Sequence, residues 1–146
     1  VDSIAVERHP MIDTSYIVKA HIKPVPYVQY YRFFSMDVGK DSIYGISYNG
    51  VFDSQLHADE MFAVNRGRTN PIEYPDFYYS YGDSVRFKLA SIDATAYDFW
   101  TRYDENAMFS HAALLPYSSN LKGNIDGGLG YWFGYGVTAV YTAVIR

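Results

Sequence analysis

Four histidines, 16 aspartates and glutamates, and no cysteine bound the chemistry open to this chain. The histidines stand apart at His9, His21, His57 and His111, with no His-Glu-x-x-His or other tight ligand pair, so zinc is not expected. Without cysteine there is no thiolate nucleophile, thiolate metal site or disulfide. The densest ligand set is His57-Ala58-Asp59-Glu60, which reads either as a divalent-cation site or as the solvated start of a helix. Hard cations recruit more oxygen ligands than this, and the calcium-loop pattern Asp-x-Asp-x-Asp-Gly is absent, so neither metal nor cofactor is expected. Asp98, Asp104 and Glu105 could pair for glycoside chemistry, but such charges on a helix surface normally face water. No Gly-x-Ser-x-Gly elbow or phosphate loop occurs, and Gly128-Leu129-Gly130-Tyr131-Trp132-Phe133-Gly134 misses the dinucleotide fingerprint by one residue while lying in an extended pattern. Catalysis is therefore not expected.

Binding is the stronger expectation. Residues 53–81 form a long stretch with little regular patterning that holds Met61, Phe62, Arg66, Arg68, Tyr74, Phe77, Tyr78, Tyr79 and Tyr81. Tyr, Met, Phe and Arg are the residue types enriched where interfaces concentrate their energy, and long loops on rigid scaffolds commonly bind. The other reading is that these rings cap one end of the fold. Composition narrows the partner: 12 Lys and Arg against 16 acidic residues leave −4, with no basic cluster to neutralise phosphates, so nucleic acid is not expected. No run approaches 18 apolar residues, so no transmembrane helix is expected either. Sixteen tyrosines exceed what one small core can bury, which leaves some rings near the surface.

The elements that must position these residues are mostly strands. At 146 residues one domain, residues 1–146, is expected. Period-two alternation marks a first strand near residues 1–8, and a second from Ser15 with Tyr16, Val18, Ala20 and Ile22 on one side. A third, over 27–38, carries rings on both faces and so belongs mid-sheet, with Arg32 the one charged exception among Val28, Tyr30, Phe34, Met36 and Val38. Asn49-Gly50 between apolar runs predicts a tight hairpin. A short helical turn is expected at 58–64, and a strand where Val85, Phe87 and Leu89 alternate with Arg86 and Lys88. Asp93 is a helix N-cap for an amphipathic helix over about 94–106, with Ala96, Tyr97, Trp100, Tyr103 and Ala107 on its apolar side. Near the end, Gly128, Gly130, Gly134 and Gly136 share one face with Trp132, opposite Leu129, Tyr131, Phe133, Tyr135 and Val137, which predicts a close approach by another element, a ring lying across the gap, or a bend near 134–136, the alternative to a bend being two strands. The fold class is all-β: an antiparallel β-sandwich or barrel of about eight strands with one helix, the alternative being a closed calycin-like barrel.

Three groups of residues carry a family resemblance: Tyr30-Tyr31-Arg32; then Tyr81-Gly82-Asp83-Ser84-Val85 through Ser91-Ile92-Asp93 to Tyr97-Asp98-Phe99-Trp100; and Gly123-Asn124-Ile125-Asp126-Gly127-Gly128-Leu129-Gly130-Tyr131-Trp132. Together they resemble the C-terminal half of the Bacteroidetes family known as domain of unknown function 4249, over residues 27–137. The resemblance implies an exported, mostly β envelope protein, usually lipid-anchored and often encoded beside TonB-dependent outer-membrane receptors. It supplies no catalytic residue. Family members are commonly longer, with a lipoprotein leader and an N-terminal β domain, so the chain reads as the C-terminal part of a longer exported protein, its lipid anchor upstream of Val1. Lys23 also stands where the family pattern has an acidic residue before the proline that precedes Tyr-Tyr-Arg. The expected function is a non-enzymatic accessory or binding protein at the outer-membrane periphery or cell surface, or alternatively in the periplasm. Its partner would be an outer-membrane transporter of the TonB-dependent type, or that transporter's substrate. The alternative is a small-ligand carrier with a barrel cavity, and a third reading is a hydrolase with an unrecognised site.

Overall fold

The computed structural model describes residues 1–23, 25–56, 61–68, 78–109, 123–127 and 131–146. In chain order the elements are β1 (Ser3–Arg8), β2 (Ser15–His21), β3 (Tyr30–Asp37), β4 (Gly45–Asp53), β5 (Met61–Ala63), β6 (Gly67–Arg68), β7 (Tyr79–Ser80), β8 (Ser84–Ile92), α1 (Ala94–Phe109) and β9 (Gly136–Val144).

The alternation along β2 places Val18 and Ala20 inward, both fully buried. β1 pairs with one side of β2, and β5 and β7 with the other, all antiparallel, to make the first sheet. The second sheet runs β6-β4-β3-β8-β9, also antiparallel. The two face each other as a β-sandwich whose core joins Val18 and Ala20 to Tyr31, Phe33, Phe52, Val85, Phe87 and Leu89. Each large side chain fully buried there contributes roughly 1.5–3 kcal/mol of apolar burial. The described strands close into no barrel, so the calycin-like alternative is corrected: β9 remains a margin of its sheet.

β3 lies mid-sheet between β4 and β8, as its two ringed faces predicted. Its second face, with Phe34, meets Ala90 and Ile92 of β8 and is covered by α1. The helix begins where expected, since Asp93 Oδ1 accepts the Ala96 N–H at 2.7 Å, and its apolar side seats Ala96, Tyr97 and Trp100 on the sheet. It extends three residues further than the periodicity suggested, to Phe109.

Two local expectations are corrected. Asn49-Gly50 makes no hairpin: β4 pairs with β3 on both sides of it, Arg32 with Val51 and Phe34 with Ile46, so residues 47–50 bulge opposite Phe33. Asn49 does adopt φ +48, because a bulge of this kind demands the same left-handed residue as a hairpin turn. The segment expected as a helical turn supplies β5 and the buried Val64, with residues 57–60 outside the described residues.

At Gly50 an added Cβ would meet the Ser47 carbonyl oxygen at 2.7 Å, whereas at Gly134 it would meet nothing within 4 Å. Gly50→Ala should therefore cost about 1–3 kcal/mol through overpacking against backbone. Gly134→Ala should stay within about 0.5 kcal/mol of the parent, as an open surface change does. Urea unfolding of the two variants checks the pair, and equal midpoints would refute the bulge geometry.

Candidate functional site

The chain crosses from the first sheet to the second between β5 and β6, and polar residues hold the crossing. Val64 donates its N–H to the Val18 carbonyl at 2.8 Å and accepts the Tyr79 hydroxyl at 3.0 Å. The Asn65 carbonyl accepts both Ser35 Oγ, at 2.8 Å, and Ser47 Oγ. Arg66 then bridges Asp37 at 2.8 Å and Asp83 at 2.7 Å, while Lys40 reaches Asp83 at 2.6 Å. Burial raises the Asp37 carboxyl, with Arg66 and Lys40 opposing it. Lost hydration pushes Asp83 the same way, but hydrogen bonds from Lys40 and the Ser80 N–H, with Arg66 alongside, hold it below its usual value. Burial raises the Tyr79 hydroxyl, so it stays protonated and serves as a donor.

This accounts for much of the region expected to bind. Tyr79 is buried, Phe62 stacks on Phe52 at 4.0 Å between centroids, and Arg66 is committed to its two carboxylates. Tyr78 is half-buried against His9, at 4.4 Å. Met61 (40% exposed) and Tyr81 (74%) reach solvent. They do so from opposite ends of β2: Met61 pairs with His21, while Ser80, before Tyr81, pairs with Ser15. Six strand residues span about 20 Å, so the two form no single patch. Arg68 lies in β6 opposite Ile46, and Tyr74, Phe77 and the His57-Ala58-Asp59-Glu60 set lie outside the described residues.

A second polar cluster sits between β3 and α1. Arg32 is fully buried, its guanidinium 4.0 Å from the Trp100 ring centroid and 3.7 Å from Asp104 Oδ1. Its three side-chain nitrogens and Trp100 Nε1 have no hydrogen-bond acceptor among the described residues. Desolvation lowers the Arg32 guanidinium to about 10 and raises the Asp104 carboxyl to about 6, each opposed only in part by its partner. Asp98 and Asp104 do not converge: Asp104 faces the sheet, while Asp98 is exposed and pairs with Arg102 at 3.0 Å.

The C-terminal segment completes this outer layer. Tyr131 stacks on Phe99 at 4.8 Å, Phe133 meets Trp100 edge-on at 5.7 Å, and Tyr135 stacks on Phe34 at 5.4 Å. The period-two reading of these rings thus holds, and β9 begins at Gly136. There an added Cβ would meet Ser91 Oγ at 2.9 Å, so among the described glycines of this run the close approach belongs to Gly136; Gly128 and Gly130 lie outside the described residues. Trp132 points the opposite way, 78% exposed, its backbone clamped by both ends of the Asn124 amide. Beside this layer lies an open cleft of about 550 Å³ among Tyr27, Tyr30, Tyr135, Gln29 and Asp93. Tyr27 stands fully exposed at φ +78, a strained setting for a bulky residue.

A family model described as Domain of unknown function (DUF4249) matches residues 1–140. The chain belongs to the DUF4249 family. No curated protein and no solved structure matches it. In this DUF4249 chain the three residue groups that carried the resemblance meet in the outer layer. Tyr30 of the first stacks on Tyr97 of the second at 4.5 Å, Arg32 lies over Trp100, and Tyr131 of the third stacks on Phe99. Sequence reading marked Arg32 as an exception and Asp104 as a solvated helix charge; that both interrupt apolar faces is the signal that could have paired them.

The Asp104 carboxyl lies above its ordinary 3.8 in the fold, so its protonation stabilises the folded state. That contribution is complete below about pH 4 and is lost as pH rises through 6. Asp104→Asn should flatten the stability profile between these limits. Arg32→Met strands a buried carboxylate and should cost about 3–5 kcal/mol at pH 7, less at pH 5, with Arg32→Met/Asp104→Leu recovering most of it. Urea midpoints across pH check the set, and a profile unchanged by Asp104→Asn would refute it.

Proposed function

We propose that this DUF4249 chain is a non-enzymatic binding module of the cell envelope. It acts as an accessory subunit at the outer-membrane periphery or cell surface, docking on a transporter of the TonB-dependent type or on that transporter's substrate. One observation carries the reading toward binding: Trp132, Tyr135, Val137, Val140 and Val144, all large, apolar and exposed, follow one another along a single C-terminal stretch. That stretch is anchored to a sheet packed on both faces, and a rigid scaffold presenting rings and aliphatics is what a protein interface requires. The two ion clusters, in contrast, are tied into the fold and shape structure. The envelope setting rests on the family resemblance, and among the described residues no helix is long and apolar enough to cross a membrane.

The test is mild detergent extraction of the native assembly, with a photo-crosslinking residue at Trp132 or, for comparison, at Tyr81. Stoichiometric recovery with an outer-membrane barrel, crosslinked from Trp132 in preference to Tyr81, is the expected outcome. Recovery as a lone monomer without crosslinks would overturn the accessory role. Attention would then pass to a small ligand in the cleft beside Tyr27.

A further inference from the structure

β9 is nine residues long and forms one margin of its sheet, paired with β8 on one side and, among the described residues, with no strand on the other. Ile145 just beyond it donates its N–H to the Asp83 carbonyl and accepts the Gly82 N–H, both on the β8 side. By the alternation of an antiparallel ladder, Tyr141 and Ala143 also turn their backbone groups to β8, while Val140, Thr142 and Val144 turn theirs outward. An open strand edge of this kind is a template for another strand, and folded proteins usually blunt it with charge, proline or brevity. β1, a margin of the other sheet, is shorter and carries Glu7 and Arg8; β9 carries no charge and no proline.

The surroundings of β9 select the occupant. Across the ladder, Val140 faces Lys88 and Thr142 faces Arg86. Arg86 is exposed, and among the described residues no carboxylate lies within ion-pair distance of it or of Lys88; the Lys88 ammonium rests 4.8–5.5 Å from the rings of Tyr44, Phe34 and Tyr135. In a chain of formal charge −4, this face of β8 and β9 bears cations and no acid. A second copy of the chain would bring the same cations to the seam, so charge disfavours it.

We infer that β9 is extended by a strand from a partner protein, an extended segment whose carboxylates alternate with apolar residues. Its backbone pairs with Val140, Thr142 and Val144. Its carboxylates lie on the Arg86 side, and its apolar residues on the side of Tyr141 and Ala143. Neighbouring strands lie about 4.8 Å apart, so Arg86 reaches across the short Thr142 side chain to the added strand. The inference rests on the binding-module reading and names how its partner attaches.

The probe is a labelled peptide, acetyl-Thr-Glu-Val-Glu-Val-Glu-Thr-amide, followed by fluorescence anisotropy with the purified chain. Saturable binding at concentrations up to about 1 mM, the weak end of specific recognition, is expected. It should weaken as salt rises, and the peptide with Lys for Glu should bind at least about tenfold less tightly. Arg86→Glu should reverse that preference. Thr142→Pro removes an outward N–H that pairs with no strand among the described residues, which edge strands tolerate, and should abolish binding. Should that variant fail to fold, methylating alternate peptide nitrogens tests the same pairing with the protein untouched. Equal binding of the Glu and Lys peptides, binding undiminished by N-methylation, or no saturation would overturn the inference. So would self-association traced to β9 by crosslinking a Thr142→Cys chain. If the native partner stays bound to the Thr142→Pro chain, the binding module stands and this mode of attachment falls.

Discussion

β3 has no side that faces water. Tyr31, Phe33, Ser35 and Asp37 turn toward the sandwich interior, and Arg32 and Phe34 toward the helix, all of them buried. A strand covered on both faces cannot slide by one residue without exchanging its two faces, so its register fixes that of its neighbours. β4 accommodates this by bulging at residues 47–50 rather than leaving β3, and β8 pairs with β3 along its whole length. The Arg32–Asp104 pair extends the constraint to the helix. Its energetic return is small, because desolvation of both groups outweighs their attraction. It is selective nonetheless: a helix shifted by one residue would leave a buried guanidinium without its carboxylate and without the Trp100 ring.

The crossing between sheets solves the opposite problem. Buried backbone groups that leave one ladder before joining the next need partners, and few are at hand in a sandwich interior. Here Ser35, Ser47 and Tyr79 supply them to Val64 and Asn65, and Arg66 completes the seal with two carboxylates from separate turns. Two of the residues that suggested an interface, Arg66 and Tyr79, therefore help to build a junction. Arg with Tyr beside it has the same composition in either setting, and only the burial of Tyr79 and the placing of Asp37 and Asp83 distinguish the two.

What could be read from the chain follows from which interactions are local. Alternation along β2, β3 and β8, the Asp93 cap and the apolar stripe of α1 are short-range patterns, and each appears in the fold close to its expected bounds. The two-ringed faces of β3 even located it within its sheet. Asn49-Gly50 misled because the sequence signal reports a left-handed backbone, which a bulge and a hairpin share, while the choice between them is made by β3, distant in sequence. Arg32 and Asp104 lie 72 positions apart, and Arg66 meets Asp37 and Asp83 from a third element, so no spacing along the chain announces either cluster. The exposed edge was hidden for the same reason: β9 reads as a good strand, and nothing in its own residues says that it comes last in the sheet.

Two margins of the sandwich, β1 and β9, are treated differently by the same chain. β1 is protected by length and charge, with Lys19 of its neighbour pairing Glu7 at 2.6 Å across the ladder. β9 is longer, uncharged and rich in β-branched residues, the composition expected of a strand with neighbours on both sides. Left open in water, such an edge promotes indiscriminate pairing, a hazard set against the cost of folding a strand with no solvent-adapted residues. The cations beside it, Arg86 and Lys88, do not guard it as charges on β9 itself would. They stand one strand inward, where they leave its hydrogen-bonding groups accessible and bias which side chains can settle there. That arrangement suits an edge kept open for a chosen occupant more closely than one left open by neglect.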